Sequence, residues 1–250
     1  MFRRFYRLAL FSAAAVMMMS IAASAQDFQK SYRLGAGGDV RVSTVSGDVK
    51  VNGYDGDAII VTGYKEGRDS ELVEIEDRSG GNTVDVRVRY PRNCNCDVSV
   101  RFEVQVPRST RYNFDSFSSV SGEVEVRSVT GKLRASSVSG TVRVEDVSGV
   151  VNASSVSGNV EVDINRLEGP EDMKFSSVSG NVNVRIPSSL DAEIEMSTLS
   201  GGLRTDFPIE VREEKYGPGR SARGRVGDGS RRLKMSSVSG SLSLKYSGRG

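Results

Sequence analysis

Apolar side chains recur with a period of nine residues over much of this chain. The period is marked by identical copies of Ser-Ser-Val-Ser-Gly that begin at Ser118, Ser136, Ser154, Ser176 and Ser236. Apolar residues fall two and four positions after each glycine, two and five positions before it and, in every copy except the first, seven positions before it. Steps of two are the period of a β-strand, whereas the single step of three indicates a corner. The pattern predicts short strands joined by bends.

Two nine-residue units make one rung, since the first three copies start 18 residues apart. We expect rungs to stack as parallel strands about 4.8 Å apart, with Val124, Val142 and Val160 one above another. The predicted fold class is therefore all-β, a parallel β-solenoid resembling a β-helix, and the usual chirality of parallel crossovers favours right-handed winding. Aliphatic residues at all five repeating positions, including Val120 and Val138, are expected to fill its core.

Polar positions support the same register. Glu125, Arg143 and Glu161 occupy one outward position on three successive rungs with alternating charge, and Arg127 is expected to pair with Glu145 in the same way. Opposite charges facing each other on neighbouring strands stabilise a register, and a slip of one residue would turn them inward. The serines at the corners are expected to form hydrogen-bonded ladders between rungs, a structural role.

Interruptions of the repeat divide the chain into segments. Alternating stretches around a Ser-Gly-Gly-Asn turn at residues 79–82 are typical of antiparallel hairpins, and the stretch after residue 206 is rich in glycine and charge. We predict a signal peptide over 1–25, a first rung with an N-terminal strand over 26–62, an inserted antiparallel β segment over 63–107, a solenoid core over 108–206, a basic glycine-rich loop over 207–232 and a last rung over 233–250.

The N-terminus has the pattern of an export signal. Arg3, Arg4 and Arg7 precede an apolar run over residues 8–23, and Ala-Ser-Ala at residues 23–25 matches a signal-peptidase site. The mature chain is expected to begin at Gln26 and to contain no transmembrane span, because the apolar run is short. This predicts a protein of the periplasm, the outer surface or the secreted fraction.

Composition excludes several classes of function. The formal net charge of +2 becomes −1 when the three arginines of the signal peptide are removed, so no nucleic-acid partner is expected. Histidine is absent, which excludes His-dependent triads and the commonest transition-metal ligand. The turns also lack the carboxylates of calcium-binding nonapeptide repeats, since Gly140 precedes Thr141. We expect neither a metal nor a cofactor.

The segment after residue 206 is the one feature of the sequence that selects a partner by charge. Between residues 212 and 232 its seven cations stand against Glu213, Glu214 and Asp228, an excess of four positive charges. Such a segment suits acidic envelope glycans or lipid headgroups, with another envelope protein as a further possible partner; a solvated loop without a ligand is the alternative. The candidate residues are Arg212, Lys215, Arg220, Arg223, Arg225, Arg231 and Arg232.

Cys94 and Cys96 are the only cysteines. Export to an oxidising compartment favours a local disulfide between them, with free thiols as the alternative. Residues two apart in an extended strand lie near the outer distance limit for a bridge, so a bulge or turn is required.

Two parts of the sequence resemble a known family. The segment from Asp97-Val98-Ser99-Val100 to Val106-Pro107, and the later strings of Ser-Val-Ser-Gly-x-Val-x-Val, are similar to the putative-adhesin family of exported bacterial β-solenoid proteins. The resemblance spans nearly all of the mature chain and implies an envelope or surface protein with a parallel β-helix-like body. It carries over no binding residue.

These observations predict a non-enzymatic adhesin or a scaffold of the cell envelope. One alternative is a polysaccharide-processing enzyme with two acids across a groove, for which the carboxylate clusters are the candidates. The other alternative is a signalling accessory of the envelope without its own ligand. The clusters are Glu74, Glu76 and Asp77; Glu171 and Asp172; and Glu193 and Glu195.

Overall fold

The structure is a computed structural model that describes residues 26–213 and 219–248. Over these residues the chain forms twenty β-strands and one short 3₁₀ helix, Ser70–Leu72, so the all-β prediction is confirmed. The strands are β1 (Phe28–Tyr32), β2 (Asp39–Ser43), β3 (Val49–Tyr54), β4 (Ile59–Glu66), β5 (Glu74–Asp77), β6 (Thr83–Arg89), β7 (Ser99–Pro107), β8 (Tyr112–Ser119), β9 (Val124–Arg127), β10 (Thr130–Ser137), β11 (Val142–Ser155), β12 (Val160–Arg166), β13 (Met173–Ser177), β14 (Val182–Ile186), β15 (Ala192–Ser200), β16 (Leu203–Thr205), β17 (Glu210–Glu213), β18 (Arg220–Val226), β19 (Arg232–Ser239) and β20 (Leu242–Tyr246).

The strands form two ladders of mixed orientation that share the long strand β11. The first ladder has the order β5, β6, β2, β8, β10, β11, β13, β19, β15, β18, β17. The second has the order β1, β4, β7, β3, β9, β11, β12, β14, β20, β16. Pairing is parallel through the middle of both ladders. It is antiparallel at both ends of the first ladder and at the β1 end of the second, whereas β16 pairs parallel with β20 at the other end of the second. The inward side chains of both ladders join one apolar core.

Identical apolar positions lie on neighbouring parallel strands. Val142 pairs with Val124 on one side and with Val160 on the other, and all three side chains are fully buried. The charged residues that point outward follow the same register: Arg127 bonds to Glu145 at 3.0 Å, within the range of a charge-assisted hydrogen bond.

The segment over residues 63–107 differs from the predicted antiparallel insertion. β4 pairs antiparallel with β7, and β5 pairs antiparallel with β6, but β6 also runs parallel to β2, and β7 runs parallel to β3. The reason is that β6 and β7 carry the same alternation of buried apolar residues as the repeats, with Val84 opposite Val40 and Phe102 opposite Val49. This segment therefore continues the parallel stack as well as forming hairpins.

The valines two positions before the repeat glycines were predicted in the core and lie instead on the surface. Val120, Val138, Val156 and Val178 are each 42 to 44% exposed. The cause lies in the preceding residue: Ser137 takes the inward position at the corner, and Val138, the next residue, therefore turns outward. The core consequently contains four of the five repeating apolar positions.

Candidate functional site

The basic segment predicted as a loop over residues 207–232 contains two ordered strands. β17 pairs antiparallel with β18, and β18 pairs antiparallel with β15, so the segment extends the first ladder. Buried Phe207 and Ala222, together with Ile209 and Val226 packed against the core, supply the apolar side that an ordered strand requires. The charge-rich composition concealed this pattern. Of the candidate residues, Lys215 lies outside the described residues.

Four neighbouring strands, in the order β18, β15, β19 and β13, bring basic side chains together on one outward face. Arg225 and Arg232 lie on either side of Glu193, and Arg223 and Lys234 lie on either side of Glu195. Residues directly opposite each other in a ladder point to the same side of the sheet. Lys174 on β13 is the next residue in the second row, because it pairs with Lys234. We call this surface the basic face; its cations are Lys174, Arg223, Arg225, Arg232 and Lys234.

Some cations of the basic face form ion pairs and others do not. Arg223 bonds to Glu195 at 2.9 Å, and Lys234 lies 3.7 Å from the same carboxylate. Among the described residues no ion pair involves the side chains of Arg225 and Arg232, although both residues are exposed. Five cations surround two carboxylates, so the face keeps a positive excess.

The other candidate arginines lie away from this face or are already engaged. Arg212 is held by Glu210 at 2.7 Å, and Arg220 also has an interaction partner. Arg231 has its Nε and Nη1 atoms out of contact with solvent and without a hydrogen-bond partner in the described part of the chain. The sequence analysis therefore grouped more arginines than the structure brings together, and it missed Lys174 and Lys234. Both lysines could have been found from their shared outward position in the repeat.

The carboxylate clusters of the enzyme alternative lie next to cations. A hydrogen bond from Arg78 lowers the pKa of Glu76, and one from Lys132 lowers the pKa of Glu171. Asp172 accepts a hydrogen bond from the backbone of Arg232, which belongs to the basic face. Glycoside hydrolysis requires a carboxylic acid whose pKa is raised, so the lowered values of Glu76 and Glu171 do not suit that role.

Cys94 and Cys96 are bonded to each other through their sulfur atoms, with their Cα atoms 5.1 Å apart. This separation lies within the range that a disulfide spans. Asn93 has a positive φ of 59°, and residues 91–98 form no strand, which provides the turn that the bridge requires. The described residues contain no group of three or more histidine, cysteine, aspartate or glutamate side chains arranged to hold a metal ion.

A depression with a volume of about 530 Å³ lies on the second ladder. Its lining includes Asp163, Asn183, Arg185, Ser243 and Lys245, which come from β12, β14 and β20. The sequence analysis assigned no role to these residues. The sequence does mark these positions, because the outward charges no longer alternate in sign from strand to strand: Arg185 is followed at the corresponding position by a second cation, Lys245.

Comparison with known families places the chain in one of them. The Toastrack DUF4097 family matches residues 17–245, and the chain belongs to this family. A comparison with curated proteins gives no significant match. No helix within residues 26–213 and 219–248 is long and apolar enough to cross a membrane.

Two solved structures are similar to this chain. A putative cell adhesion protein from Clostridium sporogenes has a TM-score of 0.47 and 10% sequence identity, over 88% of this chain and 99% of that one. A putative adhesin from Bacteroides fragilis has a TM-score of 0.41 and 15% identity, over 87% of this chain and 96% of that one. At these similarities neither structure carries an argument about the function of this chain.

Proposed function

We propose that this protein is an exported, non-enzymatic protein of the bacterial cell envelope with an adhesin-like role, and that its basic face binds anionic envelope material. The observation that carries the proposal is the set of five cations around Glu193 and Glu195 on four adjacent strands. A cation near an anionic surface contributes about 1 kcal/mol of binding free energy. A rigid ladder presents these charges without the entropy cost of ordering a loop.

We further propose that the two ladders are the faces of a single right-handed β-solenoid. The parallel register supports this, because residues 18 apart pair along β9, β11 and β12. The usual handedness of parallel crossovers supports the winding direction. Cleavage after a signal peptide over residues 1–25 completes the proposal. Those residues lie outside the described part of the chain.

The test is binding of the mature protein to anionic vesicles and to an acidic polysaccharide, with neutral vesicles as the reference. The variant Arg225→Gln with Arg232→Gln removes two open charges and leaves the ion pairs of Glu195 intact. We expect it to lose about 2 kcal/mol of binding free energy, or roughly thirtyfold in affinity. The matched control is Arg33→Gln with Arg68→Gln, which changes the net charge equally at two exposed arginines outside the face.

The control variant is expected to bind as tightly as the wild type. If both double variants lost affinity equally, net charge rather than the basic face would govern binding, and the proposal would be wrong. Absence of binding to every anionic surface would favour the scaffold or signalling alternative. Turnover of a polysaccharide would establish the enzyme alternative instead.

A further inference from the structure

A row of exposed aliphatic side chains runs along the corner where the chain passes from the first ladder to the second. Neighbouring corners are joined by backbone hydrogen bonds, such as the 2.7 Å bond from the nitrogen of Ser157 to the carbonyl oxygen of Val138. Each side chain of the row is between 42 and 52% exposed. We call this row the valine ridge; its members, in the order of the stack, are Val45, Val120, Val138, Val156, Val178, Val238 and Leu199.

The ridge keeps one chemistry where other outward positions of the repeat vary. Arg143, Glu161 and Asn183 occupy the same outward position on neighbouring strands, whereas every ridge position is aliphatic. A threonine has the same branched shape as a valine, so packing against the next rung does not by itself require an apolar residue. Contiguous exposed apolar surface marks a contact with another protein or with a membrane.

Uncharged hydroxyl groups border the ridge on both sides. On the first ladder, Ser118, Ser136 and Ser154 are partly exposed and lie directly opposite one another. On the other side, Ser139 and Ser157 are exposed. No residue within two positions of a ridge residue is charged. The ridge can therefore leave water without the free-energy cost of desolvating a charge.

The shape of the ridge decides between the possible partners. Seven rungs about 4.8 Å apart give a length of about 29 Å, and the edge of two packed sheets is about 10 Å wide. The product, about 300 Å², is well below the roughly 800 Å² that each partner buries in a stable protein interface, so the ridge does not suffice to bind a second copy. A convex edge also cannot enclose a small ligand. A fluid lipid surface requires no complementary shape.

Cations of the basic face adjoin one end of the ridge. Lys174 and Lys234 stand four residues before Val178 and Val238, a distance of about 13 Å along each strand. The headgroup layer of a bilayer is about 5 to 8 Å thick, and its electrostatic attraction extends about 10 Å at physiological salt. Both lysines therefore lie within range of the headgroups when the ridge reaches the acyl boundary.

Carboxylates adjoin the other end of the ridge. Asp48 and Glu123 lie three positions after the first two ridge residues, and the backbone nitrogen of Glu123 bonds to the carboxylate of Asp48 at 2.9 Å. The cation that corresponds to Lys174 on this rung, Arg41, is paired with Asp115 at 2.6 Å. This end is therefore less suited to an anionic surface than the end beside the basic face.

We propose that the valine ridge inserts into the surface of an anionic lipid membrane, and that the end formed by Val178, Val238 and Leu199 enters first. The aliphatic side chains occupy the boundary between headgroups and acyl chains, and Lys174 and Lys234 face the lipid phosphates. Lipid is thereby the anionic material that the basic face contacts. The preference for anionic lipid rests on the proposed function, whereas insertion of the ridge does not.

The test is binding of the mature protein to vesicles of equal parts phosphatidylglycerol and phosphatidylcholine, and to phosphatidylcholine alone, at physiological and at high salt. Monolayers of the same lipids report insertion as a rise in surface pressure. The ridge variant is Val178→Ser with Val238→Ser. Its matched control is Val45→Ser with Val120→Ser, which makes the same replacements at the other end. Urea unfolding of each variant verifies that it is folded.

We expect the ridge variant to bind the mixed vesicles about tenfold more weakly than the wild type and to raise the surface pressure less. The ratio should persist at high salt, because salt does not screen apolar burial. The control is expected to change the affinity by less than about twofold. Val178→Phe enlarges the apolar surface and is expected to tighten binding by about threefold or more.

Three results would each overturn the proposal. They are the absence of a surface-pressure rise with the wild type, equal effects of the two serine double variants, and unchanged binding of Val178→Phe. Binding to an acidic polysaccharide without binding to vesicles would also overturn it, and would leave the basic face as a glycan site.

The same measurements separate the ridge from the basic face. The variant Arg225→Gln with Arg232→Gln is expected to lose affinity at physiological salt and to approach the wild type at high salt, since screening removes its contribution. Loss of affinity in this variant alone would withdraw the ridge and keep the proposed function. Loss in the ridge variant alone, equal for both kinds of vesicle, would keep the ridge and withdraw the basic face.

Discussion

The hydroxyl of Ser137 donates a hydrogen bond of 2.8 Å to the carbonyl oxygen of Gly122 on the neighbouring rung. Ser137 is only 4% exposed, so its polar atom requires this partner. The predicted serine ladders therefore run from side chain to backbone rather than from hydroxyl to hydroxyl. Equivalent bonds join Ser119 to Gly47, Ser155 to Gly140 and Ser177 to Gly158.

We predict that Ser137→Ala destabilises the fold by about 1 to 2 kcal/mol, because it removes one buried hydrogen bond. The matched control is Ser136→Ala, since Ser136 points outward and its hydroxyl has no hydrogen bond in the described part of the chain. Urea unfolding of both variants measures the difference. Equal stabilities of the two variants would show that the hydroxyl contact does not matter.

The glycine of the repeat is required by the close approach of backbones. A Cβ at Gly140 would lie 2.1 Å from the carbonyl oxygen of Gly122, which no real Cβ contact allows. We predict that Gly140→Ala costs about 3 kcal/mol or more, because the obstacle is backbone and cannot move aside. Gly80→Ala is the control, as its Cβ would meet nothing within 4 Å. A similar thermal midpoint for both variants would contradict this account.

Replacing the exposed valines is predicted to change the free energy of unfolding very little. Val138 is 42% exposed, whereas Val144 is fully buried. Val144→Ala is expected to lose roughly 1.5 to 3 kcal/mol of unfolding free energy, and Val138→Ala less than about 0.5 kcal/mol. Denaturant titration of the two variants tests this. A large loss of unfolding free energy in Val138→Ala would mean that the exposed valines are covered in solution.

The repeat predicted the register because its period is written in residue types. Val124, Val142 and Val160 share a spacing and a chemistry, and no other arrangement buries them on parallel strands as well. The valines two positions before the repeat glycines were wrongly placed in the core because the sequence pattern does not distinguish a buried aliphatic residue from an exposed one. Their burial depends on which residue the corner turns inward, and here that residue is a serine held by a carbonyl.

The candidate sites were harder to predict than the fold. Arg225 and Arg232 are separated by a turn, and only the antiparallel pairing of β18 and the parallel pairing of β19 with β15 bring them to either side of Glu193. Arg185 and Lys245 are 60 positions apart in the sequence, because the last rung, β19 and β20, lies between earlier ones. Order along the chain does not encode this insertion.

The cysteine pair gives a redox prediction. We expect the protein purified without reductant to resist alkylation until a reductant is added, and then to gain one label on Cys94 and one on Cys96. Replacing both cysteines by serine is expected to cost no more than about 2 kcal/mol, because the bridge closes a very short loop. Mass spectrometry with and without reductant measures the labels. Complete labelling of the untreated protein would disprove the bridge.

The lowered pKa of Asp77 predicts how the stability of the fold changes at acid pH. Burial acts to raise the pKa of its carboxyl, but hydrogen bonds from Lys30 and Ser79 outweigh burial and lower the pKa to about 2. An unfolded aspartate titrates near pH 3.9, so the folded state binds its proton less readily than the unfolded state. Asp77 therefore contributes stability that is fully present above about pH 4 and is lost as the pH falls towards 2.

The variant Asp77→Asn removes this carboxyl, and with it the part of the pH dependence that it causes. We expect the variant to be less stable than the wild type at neutral pH, because Lys30 loses its charged partner. Between pH 4 and pH 2 the difference is expected to shrink, since protonation removes the same charge from the wild type. Urea unfolding of both proteins at intervals across this range measures the two curves. Parallel curves would show that another group governs the acid limb.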